Sequence, residues 1–340
     1  MKKIRVLIVD DSTVSRTVLS KGLSADPAIE VVATASDPFD ARDKILAYEP
    51  DVMTCDVEMP RMNGIEFVRR LIPQYPIPVI MVSGVSNAVF DAMNAGAVDF
   101  ITKPELASVN SVEAFINELI EKVKTAATAN MTYLRNKDNS LSVLEKKNIY
   151  SDRIIAIGAS TGGTEAIYNI LKYLPNNIPG IVIVQHIPPV FSRMFAERLN
   201  NSTSLNVKEA SPGEFVEKGR VLIAPGDRHM RIKKLGDRYG VECFEGDKVN
   251  GHCPSVDVLF ESVAKEAGSK AIGVILTGMG YDGAKGLLAM RRKGARTIGQ
   301  DEHSCVVYGM PKVAFSVGAV EKQVSLDDMP KLLYSMLCKE

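Results

Sequence analysis

Short apolar-rich runs at residues 4–9, 30–34, 52–55, 79–82 and 99–101, each separated from the next by a helix-length segment, restrict the first part of this chain to a parallel sheet covered on both faces. A strand open to solvent on one side alternates apolar and polar residues, whereas a strand buried on both sides stays apolar, and parallel neighbours need a crossover long enough for a helix. The last intervening segment predicts a helix over residues 112–124, with Val112, Phe115, Leu119 and Val123 at helical spacing. The pattern restarts at residues 153–157 and continues at 180–184, 221–224, 271–276 and 295–299, which predicts a second α/β layer structure. Between the two, residues 125–150 turn to Ala, Thr, Asn, Lys and Ser without a strong period. The expected organisation is a domain over 1–124, a linker over 125–150 and a domain over 151–340.

Charge narrows the function classes. With 41 basic and 41 acidic residues the formal net charge is zero, so no overall field favours nucleic acid or an anionic membrane. The basic residues of the linker, Arg135, Lys137, Lys146 and Lys147, read as solvation of a polar segment. The apolar run after Lys2 and Lys3 is too short for a signal-peptide core or a membrane span, which places the chain in the cytoplasm with no membrane insertion. Cys55, Cys243, Cys253, Cys305 and Cys338 are odd in number and include no Cys-x-x-Cys pair, as reduced thiols would be. Cys243, His252 and Cys253 lack zinc-ligand spacing and read as packing.

In the first half, Asp10 and Asp11 close the first strand, Asp56 the third and Ser83 the fourth, and Lys103 follows the fifth just before Pro104. All lie at carboxyl ends of parallel strands, which in a doubly wound sheet border one crevice. Three carboxylates beside one lysine suit a hard divalent cation with room for a phosphoryl group. Each Asp taken singly also reads as a helix cap or a turn residue. Together with Asp56-Val57-Glu58-Met59-Pro60 and Asn63-Gly64, they make the first 120 or so residues resemble response-regulator receiver domains of flavodoxin-like fold. That resemblance implies phosphorylation of Asp56 by a histidine kinase and Mg2+ held by Asp10, Asp11, Asp56 and the backbone carbonyl of Glu58. It also implies that Lys103 pairs with the phosphate and that Ser83 responds to it.

In the second half, the run ending at Ile157 leads into Gly158-Ala159-Ser160-Thr161-Gly162-Gly163. A dinucleotide fingerprint needs glycine where Ser160 stands, and a P-loop needs lysine where Thr164 stands. The remaining match, Gly-x-Ser-x-Gly, presents a serine hydroxyl on a sharp strand-to-helix turn and aims backbone N–H groups at a developing oxyanion; a serine there also serves as a helix cap. A serine nucleophile needs a base and an orienting carboxylate. Of four histidines, His186 follows the run at 180–184, again at a carboxyl end, while His229, His252 and His303 have no equally clear placement. Asp282, in the glycine-rich loop after the run at 271–276, is the expected partner of the other imidazole nitrogen.

The order serine, histidine, aspartate differs from that of common lipases with the same elbow. Together with Pro225-Gly226-Asp227, Pro254-Ser255-Val256-Asp257-Val258-Leu259-Phe260 and Val307-Tyr308-Gly309-Met310-Pro311, it resembles the chemotaxis protein-glutamate methylesterases/protein-glutamine glutaminases, the CheB family. The resemblance implies a C-terminal doubly wound, mostly parallel α/β methylesterase domain behind the receiver. It implies Ser160 as nucleophile, His186 as base and acid, Asp282 as orienter, and the backbone N–H groups of Met279 and Thr161 as oxyanion donors, with no cofactor for the esterase. The implied partners are chemoreceptor cytoplasmic helices as substrate and a chemotaxis histidine kinase as phosphodonor. One departure is Cys253 after His252, where the family usually carries arginine. A noncatalytic binding module and a DNA-binding regulator are the competing outputs; the second half has no basic stripe and is too long for a helix-turn-helix module.

Overall fold

The computed structural model describes residues 2–84, 88–104, 109–132, 144–145, 147–150 and 152–338. The chain divides into two compact units, Met1–Lys137 and Asp138–Glu340.

The first unit is a five-stranded sheet, β1 (Ile4–Val9), β2 (Ile29–Ala35), β3 (Val52–Asp56), β4 (Val79–Ser83) and β5 (Asp99–Thr102), in the order β2-β1-β3-β4-β5. Every pairing is parallel. The residues of β3 and β4 are buried throughout, which is why their sequences carry no polar alternation. Between the strands run α1 (Thr13–Ser24), α2 (Pro38–Tyr48), α3 (Gly64–Leu71) and α4 (Ala88–Asn94), with α5 (Val109–Ala126) after β5. Helix α1 packs against α5, and α3 against α4. Strand order reverses between β1 and β3, so the crevice of a doubly wound sheet opens at the ends carrying Asp10 and Asp56.

The second unit carries a seven-stranded, wholly parallel sheet in the order β14-β13-β12-β6-β7-β9-β8. Its central strands are β6 (Ile154–Ala159), β7 (Ile181–Gln185), β12 (Ala271–Ile275) and β13 (Arg296–Gln300). Short strands β8 (Asn206–Glu209), β9 (Arg220–Ile223) and β14 (Lys322–Val324) extend the edges, and β10 (His229–Leu235) pairs with β11 (Arg238–Phe244) as a separate antiparallel hairpin. From β6 the chain moves outward through β7, β8 and β9, then crosses back to β12 on the other side of β6. The switch point therefore lies between β6 and β12, and ligands of such sheets bind beyond the carboxyl ends there. Helices α6 (Gly163–Leu171), α7 (Phe191–Ser202), α8 (Val256–Glu266), α9 (Ala284–Arg292), α10 (Met310–Ser316) and α11 (Met329–Leu337) complete the unit. Val256, Leu259 and Phe260 of α8 join Ala156, Val184, Leu222 and Leu287 in one continuous buried core, which anchors the amino end of α8 over the sheet.

Of the polar stretch 125–150, Thr125 and Ala126 still belong to α5. Leu144, Lys147 and Tyr150 belong to the second unit and bond within it: Leu144 N–H donates to Tyr173 O (2.9 Å), Lys147 N–H to the Tyr334 hydroxyl (2.8 Å) and Tyr150 N–H to Leu337 O (2.9 Å). Arg135, Lys137 and Lys146 lie outside the described residues. Among the described residues no helix is long and apolar enough to cross a membrane.

Candidate active site

Ser160, His186 and Asp282 come from the carboxyl ends of three adjacent strands, β6, β7 and β12. Ala159 is in register with Gln185, and His186 N–H donates to Ala159 O at 3.1 Å, so Ser160 and His186 are the next positions out on neighbouring strands. That spacing is about 5 Å between backbones. On the other side Ser160 N–H donates to Thr277 O at 3.0 Å, tying the elbow to the end of β12.

The turn itself depends on glycine at two places. Gly162 has φ +76°, a left-handed conformation, and occupies the N-cap position just before α6, where it makes no side-chain cap. Ser160 is thus not the helix cap, and its hydroxyl is spared for other work. At Gly163 an added Cβ would lie 2.1 Å from Gln185 Oε1 and 2.7 Å from Ala159 Cβ. Gln185 is buried and donates from Nε2 to Ser160 O (2.9 Å) and His186 O (3.1 Å), so a shift of Gln185 disturbs both loops. We expect Gly163→Ala to cost about 1–3 kcal/mol of stability, read by denaturant unfolding, from overpacking at this point. Gly278 faces the same demand, since a Cβ there would lie 2.6 Å from Ser160 Cβ.

Asp282 is 1% exposed and accepts from five donors. His186 Nε2 (2.9 Å) and Val256 N–H (2.6 Å) meet Oδ2, while Asn250 Nδ2 (2.8 Å), the Ser255 hydroxyl (2.8 Å) and Asp257 N–H (3.2 Å) meet Oδ1. Val256 and Asp257 are the first residues of α8, so a carboxylate from a distant loop caps that helix and sits at the positive end of its dipole. Burial pushes the carboxyl up, but the His186 hydrogen bond and charge, the Asn250 amide and the Val256 N–H outweigh it and hold Asp282 well below the usual carboxylate range.

An ionised carboxylate only accepts, so the His186 nitrogen facing it, Nε2, carries the proton and Nδ1 presents the lone pair. Nδ1 is buried and has no hydrogen-bond partner. No hydrogen bond joins Ser160 Oγ to it. His229 is 2% exposed and plays a different part. Its Nδ1 accepts from Ser255 N–H (3.2 Å) and its Nε2 donates to Asp247 O (2.9 Å), which assigns it as a neutral ring bracing Ser255. His252 stacks on His186, with centroids 3.7 Å apart and planes 11° apart. Among candidate oxyanion donors, the N–H groups of Ser160, Gly163 and Gly278 are engaged by Thr277 O, Ser160 O and Val307 O. Thr161 and Met279 lie on the two loops that border Ser160, with Met279 46% exposed.

Residues 155–333 match the family CheB methylesterase, and residues 6–112 match the response regulator receiver domain. A protein-glutamate methylesterase/protein-glutamine glutaminase of Syntrophomonas wolfei is 57% identical over 99% of this chain and 98% of its own length. The chain belongs to the CheB methylesterase family. Its relative of the same name in Escherichia coli K12 is 47% identical over 100% of this chain and 97% of its own length. The crystal structure of the Thermotoga maritima CheB methylesterase catalytic domain is 40% identical with a TM-score of 0.54, covering 55% of this chain and all of that one. The α/β class read from the apolar runs holds in both units of this CheB-family chain.

The receiver crevice gathers its own set. Lys103 Nζ meets Asp56 Oδ2 at 2.6 Å and Asp10 Oδ2 at 3.1 Å. Asp10 also accepts from the Ser15 hydroxyl (2.6 Å) and Ser12 N–H (2.8 Å), and Asp56 Oδ1 from Glu58 N–H (3.2 Å). Burial lifts the Asp56 carboxyl against the pull of Lys103. Ser83 is buried, and its hydroxyl has no hydrogen-bond partner at the adjacent strand end. Carboxylate oxygens of Asp10, Asp11 and Asp56 lie within 4.8 Å of one another, the one such group of possible metal ligands among the described residues. Three carboxylates facing one ammonium, all hard oxygen donors, fit a divalent cation such as Mg2+. Cys243, His252 and Cys253 form no such group.

Asn250, Ser255 and the N–H groups of α8, which cradle Asp282, are not marked as a site by residue type or spacing in the sequence. The string Pro254-Ser255-Val256-Asp257 was the available signal, a serine followed by an acidic residue at the head of an apolar helix.

Proposed function

We propose that this chain hydrolyses glutamyl methyl esters on chemoreceptor cytoplasmic helices through Ser160, His186 and Asp282, and deamidates glutamine side chains by the same route. The reading rests on one observation above the others: a saturated buried carboxylate holds Nε2 of His186 and leaves Nδ1, one strand from Ser160, as the base. The Ser160 hydroxyl attacks the ester carbonyl carbon while its proton passes to His186. The imidazolium is stabilised by Asp282 and returns that proton to the departing methoxide, which leaves as methanol. Water, deprotonated by His186, then attacks the acyl-serine, releasing glutamate and regenerating Ser160. For glutamine the protonated leaving group is ammonia. The N–H groups of Thr161 and Met279 stabilise the oxyanion. The names of the relatives and the family match favour this substrate class over a noncatalytic binding module. Incubation with a methylated chemoreceptor fragment tests it: methanol release is expected, and its absence overturns the reading.

In the same proposal Asp56 accepts a phosphoryl group from a chemotaxis histidine kinase, and Asp10, Asp11, Asp56 and the Glu58 carbonyl hold Mg2+. Bound by these residues, Mg2+ would supply positive charge opposite the phosphoryl oxygens. Lys103 exchanges its Asp56 contact for a phosphate oxygen, and Ser83, buried with an unpartnered hydroxyl, turns toward the same group. In this reading the unphosphorylated receiver restrains the esterase, and roughly −1.5 to −2 added charge on Asp56 is enough to reorder a neighbouring loop and relieve that restraint. The setting is cytoplasmic, with residues 125–150 connecting a receiver over 1–124 to an esterase domain over 151–340. Asp56→Asn is expected to abolish phosphoryl incorporation from acetyl phosphate and to remove any donor-dependent rise in methanol release, while basal hydrolysis persists. A donor response equal to wild type in Asp56→Asn sinks this assignment.

A further inference from the structure

One two-residue turn touches both members of the His186–Asp282 pair. Val249 and His252 form an antiparallel bridge, with Val249 N–H donating to His252 O and His252 N–H to Val249 O, each at 3.0 Å. The residues between them, Asn250 and Gly251, have φ of +54° and +83°. Two successive left-handed residues are the mark of a primed hairpin turn, and Asn-Gly is its preferred sequence. Asn250 lies within the turn, and His252, two residues on, is the far partner of the bridge that closes it.

Asn250 Nδ2 has two hydrogens, and each has a carboxylate: Asp282 Oδ1 at 2.8 Å and Asp257 Oδ2 at 2.8 Å. The other Asp257 oxygen is held by Gly286 N–H at 2.6 Å. Asp257 and Asp282 are both buried, and two such carboxylates repel unless a donor stands between them. The stacked ring of His252 lies face to face with His186 at van der Waals distance, which opposes rotation of the imidazole about its bond to the chain. Asp282 alone fixes one edge of the ring. It does not fix the plane.

We propose that the Val249–His252 turn is a positioning clamp on the catalytic pair, in which Asn250 fixes the Asp282 carboxylate by bridging it to Asp257 and His252 fixes the plane of the His186 ring. The inference rests on the triad reading above. Neither residue touches the reacting atoms, so both act through their partners. Misplacement of a reacting group by an ångström costs about 10²-fold in rate, and a loss confined to orientation lowers kcat with KM unchanged.

The test uses the full chain and methanol release from a methylated chemoreceptor fragment. Asn250→Gly keeps the left-handed turn and removes only the side chain, and is expected to lower kcat about 10- to 100-fold with KM within about twofold. Asn250→Asp keeps both the turn and the shape but replaces the donor with a third carboxylate, and is expected to fall below Asn250→Gly by about tenfold more. A residue serving only the turn predicts the opposite, wild-type kcat in both. His252→Ala is expected to lose about tenfold in kcat and His252→Phe, which restores a flat ring, to recover most of it. If Asn250→Gly does not fold, the decision passes to Asn250→Asp, where wild-type kcat overturns the donor role. Equal rates for His252→Phe and His252→Ala overturn the stacking role. Ser160→Ala run in parallel separates the two levels: activity retained there sinks the triad, whereas an inactive Ser160→Ala beside wild-type Asn250 variants sinks only the clamp.

Discussion

Replacing Ser160 with alanine is expected to lower the rate of glutamyl ester hydrolysis by on the order of 10³- to 10⁶-fold, with melting temperature and fold unchanged. The chemical side follows from the proposed covalent route: without Oγ that route forms no acyl-enzyme, and His186 and Asp282 would be left orienting nothing. The structural side follows from which atoms Ser160 uses to hold its place. Its N–H donates to Thr277 O at 3.0 Å, and its carbonyl accepts from Gly163 N–H at 2.7 Å and from Gln185 Nε2 at 2.9 Å. All three use backbone atoms of Ser160, which alanine keeps. Because the members of a triad act as one unit, Ser160→Ala combined with His186→Ala is expected to be no slower than Ser160→Ala alone. Methanol release measured beside a thermal melt checks both statements. Activity within tenfold of wild type in folded Ser160→Ala takes Ser160 out of the chemistry and sinks the triad.

The parts of this architecture that were legible in the sequence are those encoded by local pattern. Strands β3, β4, β6, β7 and β12 are buried on both faces, so their apolar runs stand out from any background. The chemistry follows them, because a parallel sheet delivers Asp10, Asp56, Ser160 and His186 to strand ends simply by where the runs stop. The hairpin β10–β11 was not legible: Met230, Ile232 and Val241 face inward, but Arg231, Lys233 and Lys234 break the run that would have announced it. The three residues of β14 are too few to carry a period. The cradle of Asp282 was hidden for another reason. Asn250, Ser255, Val256 and Asp257 reach it across 25 to 32 residues of chain, and no local period records that a helix is capped by a carboxylate from elsewhere. Nor does a histidine in a turn declare that its ring will stack on another; His252 had no clear placement until α8 and β7 were brought together.

Asp282→Asn is expected to lower kcat by about 10⁴-fold and to destabilise the protein by about 2–4 kcal/mol at neutral pH, a double effect that an orienting surface residue would not produce. Each Asp282 oxygen now accepts: Oδ2 from His186 and Val256, Oδ1 from Asn250, Ser255 and Asp257. An amide has one oxygen and one NH2, so either orientation points a donor at two or more donors. If the NH2 faces His186, the proton on Nε2 is driven to Nδ1, and the lone pair needed to activate Ser160 is lost. If it faces α8 and Asn250, the helix cap and the Asn250 bridge are lost instead. The pH dependence has a definite sign. Asp282 is held well below its ordinary value when folded, despite burial, by His186, Asn250 and the Val256 N–H. Its contribution is therefore fully present above the unfolded carboxyl value of about 3.9 and drains away as pH falls through the folded value. The stability gap between wild type and Asp282→Asn should thus be widest at neutral pH and narrow below about pH 4, a comparison in which the other carboxylates cancel because both proteins carry them. Denaturant unfolding of the two proteins across that range measures the gap; one that stays constant or widens in acid contradicts a charged, hydrogen-bond-saturated Asp282 as the anchor of this site.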